Sequence, residues 1–203
     1  MNAGQVLDIP LFPLNTVLFP GSFLPLRIFE PRYLEMVALC MQQQTPFGVV
    51  LIRDGNEVGA PAETVDVGTL AVIVDFDKSK DGMLLIACLG GKRFRIREQR
   101  AESSRLLRAT VEILPDGEDR VLPPQHESLA GFLRAVVNQP GMSRRIAPPD
   151  IDYSSPIELG YRLAELLPVG LEEQQGLLAM SDPLARLERI ALLLKDMDFT
   201  WQA

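Results

Sequence analysis

Apolar positions along this chain follow two different periods, one on either side of a polar, proline-rich segment at residues 115–124. Ahead of it they come in short runs and alternations. Pro10, Pro13, Pro20 and Pro25 punctuate the opening apolar stretch. Each lacks an amide donor, which confines the stretch to short extended pieces at edges and turns. Pro31 opens a predicted helix, because proline fits a first helical position, and Tyr33, Val37, Cys40 and Met41 then form one apolar stripe that should pack on a sheet. Phe47-Gly48-Val49-Val50-Leu51-Ile52, bounded by Pro46 and Asp54-Gly55, reads as a buried strand followed by a turn. From Gly68 to Phe76 the residues Leu70, Val72, Val74 and Phe76 alternate with Ala71, Ile73 and Asp75, the period of a pleated strand. Asp81-Gly82 supplies a hairpin-type turn before the strand Met83–Ala87. After Gly90-Gly91, Phe94 and Ile96 alternate with Arg93, Arg95 and Arg97, and a later strand places Ala109, Val111 and Ile113 on one face. A meander is the simplest topology for these strands, and so many within a short length predict a partly closed barrel that protects its edges.

Beyond Pro115-Asp116-Gly117-Glu118-Asp119-Arg120 and Pro123-Pro124 the period becomes helical. Leu129, Phe132, Leu133, Val136 and Val137 share one helix face, and Leu159, Leu163, Leu166 and Leu167 share another. A third helix starts near Leu171, with Glu172 and Glu173 suited to the positive end of its dipole. Asp182-Pro183 has the form of an N-cap followed by a first-position proline, opening a fourth helix that turns Leu184, Leu187, Ile190, Ala191 and Leu194 inward. The expected class is therefore α+β: a β-rich lobe over 1–117 with one inserted helix, then a helical bundle over 118–203. The aperiodic segment 138–156, carrying Arg144-Arg145 and Pro148-Pro149, is expected to be either a mobile or a contact loop.

Composition narrows the chemistry. The 203 residues are 47% hydrophobic, enough for a real core. Every long apolar stretch is broken well short of the roughly 20 residues that cross a bilayer, so no membrane span is expected. The first residues carry neither a basic nor an apolar leader pattern, which makes a cytoplasmic address the expectation. A formal charge of −7 disfavours general affinity for nucleic acid. Cys40 and Cys88 cannot by themselves supply a disulfide framework or a four-ligand metal site, and their apolar neighbours predict buried free thiols. His126, the single histidine, sits beside Pro123-Pro124 in no nucleophile-elbow context, so neither a Ser-His-Asp triad nor a metal centre is expected. No cofactor is expected, and the sequence has no Gly-x-x-x-x-Gly-Lys-Ser/Thr phosphate loop of the kind that ATP hydrolysis would need.

The most informative motif is Ile9-Pro10-Leu11-Phe12-Pro13-Leu14, then Val17-Leu18-Phe19-Pro20-Gly21, then Pro25-Leu26-Arg27-Ile28-Phe29-Glu30-Pro31-Arg32-Tyr33. It resembles the opening signature of the amino-terminal, substrate-recognition domain of the ATP-dependent Lon proteases. The resemblance continues through Phe47-Gly48-Val49-Val50, Gly68-Thr69-Leu70-Ala71, Gly90 with Arg93-Phe94, Gln175 to Leu178, and Asp182-Pro183 with Arg186-Leu187. It implies a PUA-like β pseudobarrel joined to a carboxy-terminal helical bundle, in a non-enzymatic module that recognises unfolded or degron-bearing polypeptides, as an adaptor for an ATP-dependent protease or as a holder of substrate. The peptidase dyad is not expected either, because Lys78, Lys80, Lys92 and Lys195 are the only lysines and none stands in such a context.

Two surfaces compete as the binding site. Arg27, Phe29, Glu30, Arg32 and Tyr33, with Phe12 and Phe23, are candidates for contacting peptide, because arginine and aromatic side chains offer donors, stacking faces and contact area. Against this, Glu30 and Arg32 bracket Pro31 and could serve only to cap or brace that turn, and the phenylalanines could serve only as core. The alternative is an RNA-binding face of Arg93, Arg95 and Arg97, supported by Arg100, Arg105 and Arg108. A merely solvated outer strand face has the same alternation. An exposed sheet edge, which could capture an extended segment through its backbone, leaves almost no sequence signature.

Overall fold

Six strands and one helix build the first unit of the chain, Met1–Pro115, and four helices build the second, Asp116–Ala203, among the residues that the computed structural model describes: 1–118, 120–139 and 151–197. The strands are β1 (Val6–Leu14), β2 (Phe23–Ile28), β3 (Phe47–Asp54), β4 (Glu63–Lys78), β5 (Leu84–Ala101) and β6 (Leu107–Ile113), with α1 (Pro31–Gln43) between β2 and β3. In the second unit a 3₁₀ turn at Pro124–His126 leads into α2 (Glu127–Val137), followed by α3 (Pro156–Leu166), α4 (Leu171–Ala179) and α5 (Pro183–Asp196). Of the long 138–156 segment, residues 140–150 lie outside the described residues.

β3, β4, β5 and β6 are antiparallel neighbours in chain order, the expected meander. β1 then inserts between β3 and β6, parallel to the first and antiparallel to the second, so that five strands close into a ring. β2 pairs with the first part of β5, which leaves its other side as an edge of the sheet. Closure removes most free edges, and the interior is too narrow for large side chains at every position. The ring of Phe94 occupies the space that a Cβ at either Gly48 or Gly68 would need, 2.7 Å away in both cases. Ile9, Leu11, Val50, Leu70, Ala109, Val111 and Ile113 complete that interior.

A second core lies between the sheet and α1. Pro31 stands at the first helical position and Gln44 ends the helix in the left-handed region at φ 53°, its N–H bonding Cys40 O. Tyr33, Val37 and Cys40 face inward as expected, joined by Met36, and pack on Phe12, Phe47, Val49, Ile86 and Cys88. In the second unit the Asp182 carboxylate caps α5, accepting from the N–H groups of Leu184 (2.9 Å) and Ala185 (3.3 Å).

Two expectations are corrected: the opening stretch is not confined to short edge pieces, because β1 runs from Val6 to Leu14 through Pro10 and Pro13 between β3 and β6. Met83–Ala87 and Phe94–Ile96 are not separate strands around a Gly90-Gly91 break, because β5 runs unbroken from Leu84 to Ala101. Gly90 is instead a point of close approach: its N–H donates to Ser22 O (2.8 Å) and its C=O accepts from Gly21 N (2.7 Å), so the link between β1 and β2 lies directly on the strand.

Cys40 and Cys88 are free and buried in the core beneath α1. Burial, with a smaller contribution from Cys40, pushes the Cys88 thiol up to about 12, and burial also raises Cys40. The reactive thiolate is therefore scarce at neutral pH. At pH 8 the native protein should titrate no thiol with Ellman's reagent within minutes, and both after unfolding in urea. Fast reaction of either thiol in the native state would contradict this burial.

Candidate functional site

The turn that joins β2 to α1 forms one wall of a cleft of about 290 Å³. Phe12 from β1 and Tyr33 from α1 make its floor, their rings stacked with centroids 4.0 Å apart and planes 8° from parallel. Leu14, Pro25, Leu26 and Ile28 line the sides, and Phe29, Val58 and Arg27 stand at the mouth. Both apolar mouth residues are more than half exposed, Phe29 at 56% and Val58 at 55%. Two exposed apolar side chains beside a concave aromatic floor make this a candidate binding cleft.

Arg32 holds this cleft open from behind. Its side chain is buried, its Nη1 donates to Arg105 O (3.1 Å), its Nη2 reaches Glu57 O (3.5 Å), and Nη2 also pairs with Glu30 at 3.0 Å. It thereby ties the start of α1 to the loop carrying Glu57 and Val58 and to the β5–β6 turn, where Arg105 adopts φ 66°. Glu57 is held from the other side by Asn15, whose N–H donates to its Oε1 at 2.7 Å. Burial raises the Tyr33 hydroxyl above its ordinary value, an effect that Glu30 and Glu57 reinforce and Arg32 opposes. It stays protonated across physiological pH.

The seven peptide-site candidates are thus divided. Phe12, Arg27, Phe29, Glu30 and Tyr33 come together at the cleft. Arg32 is a brace for it, and Glu30 pairs with that arginine without capping the helix. Phe23, at the start of β2, lies in a cross-strand row with Leu89 and Val72 and does not line the cleft. Glu57 and Val58 were absent from the sequence candidates, and the only hint of them is one apolar residue, Val58, between Gly55 and Gly59 in a polar turn.

The arginine alternation needs a larger correction. Arg93 is fully buried, not on an outer face with its neighbours, and its guanidinium donates to Pro115 O. Arg95 and Arg97 are exposed, but Arg95 faces Asp66 at 3.6 Å and Arg97 pairs with Glu112. Arg100 and Arg108 converge on Asp8, each at 2.8 Å, and hydrogen bonds from Arg100 foremost hold that carboxyl below its ordinary value. Phosphate recognition draws on positive charge that is not already matched. Here the arginines form a ladder of ion pairs. Elsewhere, His126 is buried, and its Nε2 has no hydrogen-bond partner among the described residues. No group of three or more His, Cys, Asp or Glu side chains among the described residues could hold a metal ion, and no described helix is long and apolar enough to cross a membrane.

Residues 8–196 match the profile of the ATP-dependent protease La (LON) substrate-binding domain. The crystal structure of a Lon N-terminal domain protein from Xanthomonas campestris is similar over 92% of this chain and 98% of that one, with 35% sequence identity and a TM-score of 0.77. The N-terminal domain of a Mycobacterium avium complex Lon protease has the same fold over 93% of this chain, at a TM-score of 0.65 and 16% identity. Lon protease 2 of Syntrophobacter fumaroxidans is 28% identical across 92% of this chain, which spans only 24% of that protein's length. A β pseudobarrel and helical unit shared with these structures, and a profile match over nearly the whole sequence, place the chain in the ATP-dependent protease La (LON) substrate-binding domain family.

Proposed function

We propose that this chain is a polypeptide-recognition module that captures unfolded or degron-bearing chains at the cleft between β2 and α1, acting as an adaptor for an ATP-dependent protease or as a holder of its substrates. The observation that carries this reading is the cleft itself: a stacked Phe12–Tyr33 floor, an apolar mouth at Phe29 and Val58, and a wall pinned by Arg32. A pre-formed floor limits the ordering cost of binding, and an apolar side chain entering between Phe29 and Val58 loses its contact with water. Family membership supports the same reading. The ion-paired arginines of β5 and β6 give an RNA-binding role no comparable support.

The test is fluorescence anisotropy of a labelled, permanently unfolded polypeptide, with its folded parent and a short RNA as controls. Saturable binding to the unfolded chain alone is expected. The double variant Phe29→Glu, Val58→Glu should weaken it about tenfold or more, because two charges in an apolar mouth oppose an apolar ligand by more than 1.4 kcal/mol. Both positions are exposed, so the variant should keep the wild-type circular dichroism. Absence of binding by the wild-type chain, or binding to RNA alone, would sink the reading.

A further inference from the structure

We infer that the upstream half of β1, Val6–Pro10, is a docking edge for an extended, uncharged polypeptide segment, at a second groove distinct from the cleft beside Phe29. The inference rests on the polypeptide-recognition reading and adds to it a second position and a mode of capture. β3 covers β1 only from Leu11, paired with Gly48, to Leu14, paired with Leu51. Upstream of Leu11 no described segment pairs with that side of the strand. The gap has a cause in the sequence: Pro10 and Pro46 stand where the parallel ladder would continue, and neither has an N–H to extend it.

Backbone alternation shows what faces the gap. Ile113 N donates to Gln5 O at 2.9 Å, and the same register pairs Leu7 with Val111 and Ile9 with Ala109. Leu7 and Ile9 therefore direct their backbone groups at β6, as Gln5 does its carbonyl, while Val6 and Asp8 direct theirs the other way. The Asp8 carbonyl accepts from Arg108 Nη2 at 3.3 Å. Among the described residues Val6 N–H, Val6 C=O and Asp8 N–H have no partner, and they remain for a visiting backbone. A groove of about 500 Å³ runs there, and Leu7, Asp8, Ile9 and Pro10 all line it. Side chains of consecutive strand residues leave on opposite faces, so backbone atoms of β1 form part of this groove's wall, as they do along an open edge. Its far wall is the second half of α1 with Met36, Leu39 and Gln43, continuing through Gln44 and Thr45.

The charge of the groove selects the occupant. Its Asp8 and Arg108 pair with each other at 2.8 Å, and its other polar side chains are the neutral amides and hydroxyl of Gln5, Gln43, Gln44 and Thr45, with Met1 at one end of the wall. An uncharged backbone complements these walls and the open edge; a phosphate or a strongly charged peptide does not. Side chains on the helix-facing side of the visiting strand would lie against the half-exposed Leu39.

The probe is a synthetic ten-residue peptide alternating threonine with valine and labelled at its amino terminus, beside an analogue N-methylated at every second residue. Anisotropy should show saturable binding of the first peptide and at least tenfold weaker binding of one methylation phase, because only backbone donors aimed at β1 matter. Leu39→Glu should weaken binding similarly while keeping the wild-type unfolding midpoint, and Val6→Pro, which removes an edge donor, should do the same. Hydrogen exchange at the amides of Val6 and Asp8 should slow at saturation. Binding that leaves these two amides exchanging as in the free protein, or that ignores both Leu39→Glu and N-methylation, overturns the inference. So does failure of the peptide to bind a protein that still captures the permanently unfolded polypeptide. Failure of both ligands overturns the recognition reading as well.

Discussion

Gly90→Ala is expected to destabilise the β unit by about 3 kcal/mol or more, a large share of the 5–15 kcal/mol that usually holds a domain together. A Cβ on Gly90 would stand 2.2 Å from the carbonyl oxygen of Phe19 and 3.1 Å from its carbon. Those are backbone atoms, so no rotamer change relieves the clash, and the segment from Leu18 to Ser22 must move. That segment is fastened on both sides. Gly90 exchanges hydrogen bonds with Gly21 and Ser22, and the buried hydroxyl of Thr69 donates to Leu18 O at 2.6 Å. Moving the segment breaks these bonds, at about 1 kcal/mol each, and lifts the buried Leu18 and Phe19 out of place. Gly131→Ala is the matched control. Gly131 lies inside α2 with nothing within 4 Å of its Cβ position, so alanine there should stabilise by about 0.5–1 kcal/mol. Urea unfolding followed by circular dichroism, with hydrogen exchange to separate the units, measures both. A Gly90→Ala protein within about 0.5 kcal/mol of wild type would contradict the close packing.

Gly90 also marks the limit of what the sequence discloses. Features decided within a few residues were legible: Pro31 opening α1, the Asp182-Pro183 start of α5, and the apolar stripes of the helices are set by backbone chemistry local to each. A glycine pair such as Gly90-Gly91 shows that the chain is free to bend there, without showing which distant segment fills the vacant space. Arg93 was misplaced for a related reason. Alternation with Phe94 assigns it to the other side of the strand, but only the return of the chain at Leu114–Pro115 covers that side and offers a carbonyl. At the cleft, the aromatic and charged residues near Pro31 were legible as a cluster. Their division was not, since whether Phe12 is floor and Phe29 is mouth depends on the fold of α1 against β1. Val58 belongs to the site only because Arg32 and Asn15 hold its loop from opposite sides, contacts that follow no period. The open edge of β1 was equally hidden, because parallel pairing with β3 joins segments that share no turn.

Replacing Arg186 should have a comparable effect in the helical unit. Its side chain is fully buried in α5, with the guanidinium 4.1 Å over the ring of Tyr161 from α3. Nε donates to Leu177 O at 3.0 Å, and Nη2 donates to Met180 O and contacts the Tyr161 hydroxyl at 3.4 Å. These carbonyls belong to the end of α4, where a helix leaves acceptors without internal donors. Arg186 therefore joins three helices through one planar group, and Tyr161 carries the connection on by donating to Asp116 Oδ1 at 2.9 Å. Burying a charged group costs enough that exchange for an apolar residue can stabilise a protein, so the sign of Arg186→Met rests on what the guanidinium's partners lose. The acceptors decide it. They are main-chain carbonyls that no substitution removes, so methionine leaves them buried without their donor at about 1–3 kcal/mol apiece and also forfeits the ring contact. A net loss of about 3 kcal/mol is expected. Lysine should recover only part of it, because a single ammonium cannot span the same forked set of acceptors. Tyr161→Phe should cost about 1 kcal/mol, and a double-mutant cycle between positions 161 and 186 should give a coupling of about 1 kcal/mol or more. If Arg186→Met unfolds at or above the wild-type midpoint, desolvation of the guanidinium outweighs its carbonyl contacts, and the helical unit is held by its leucine core alone.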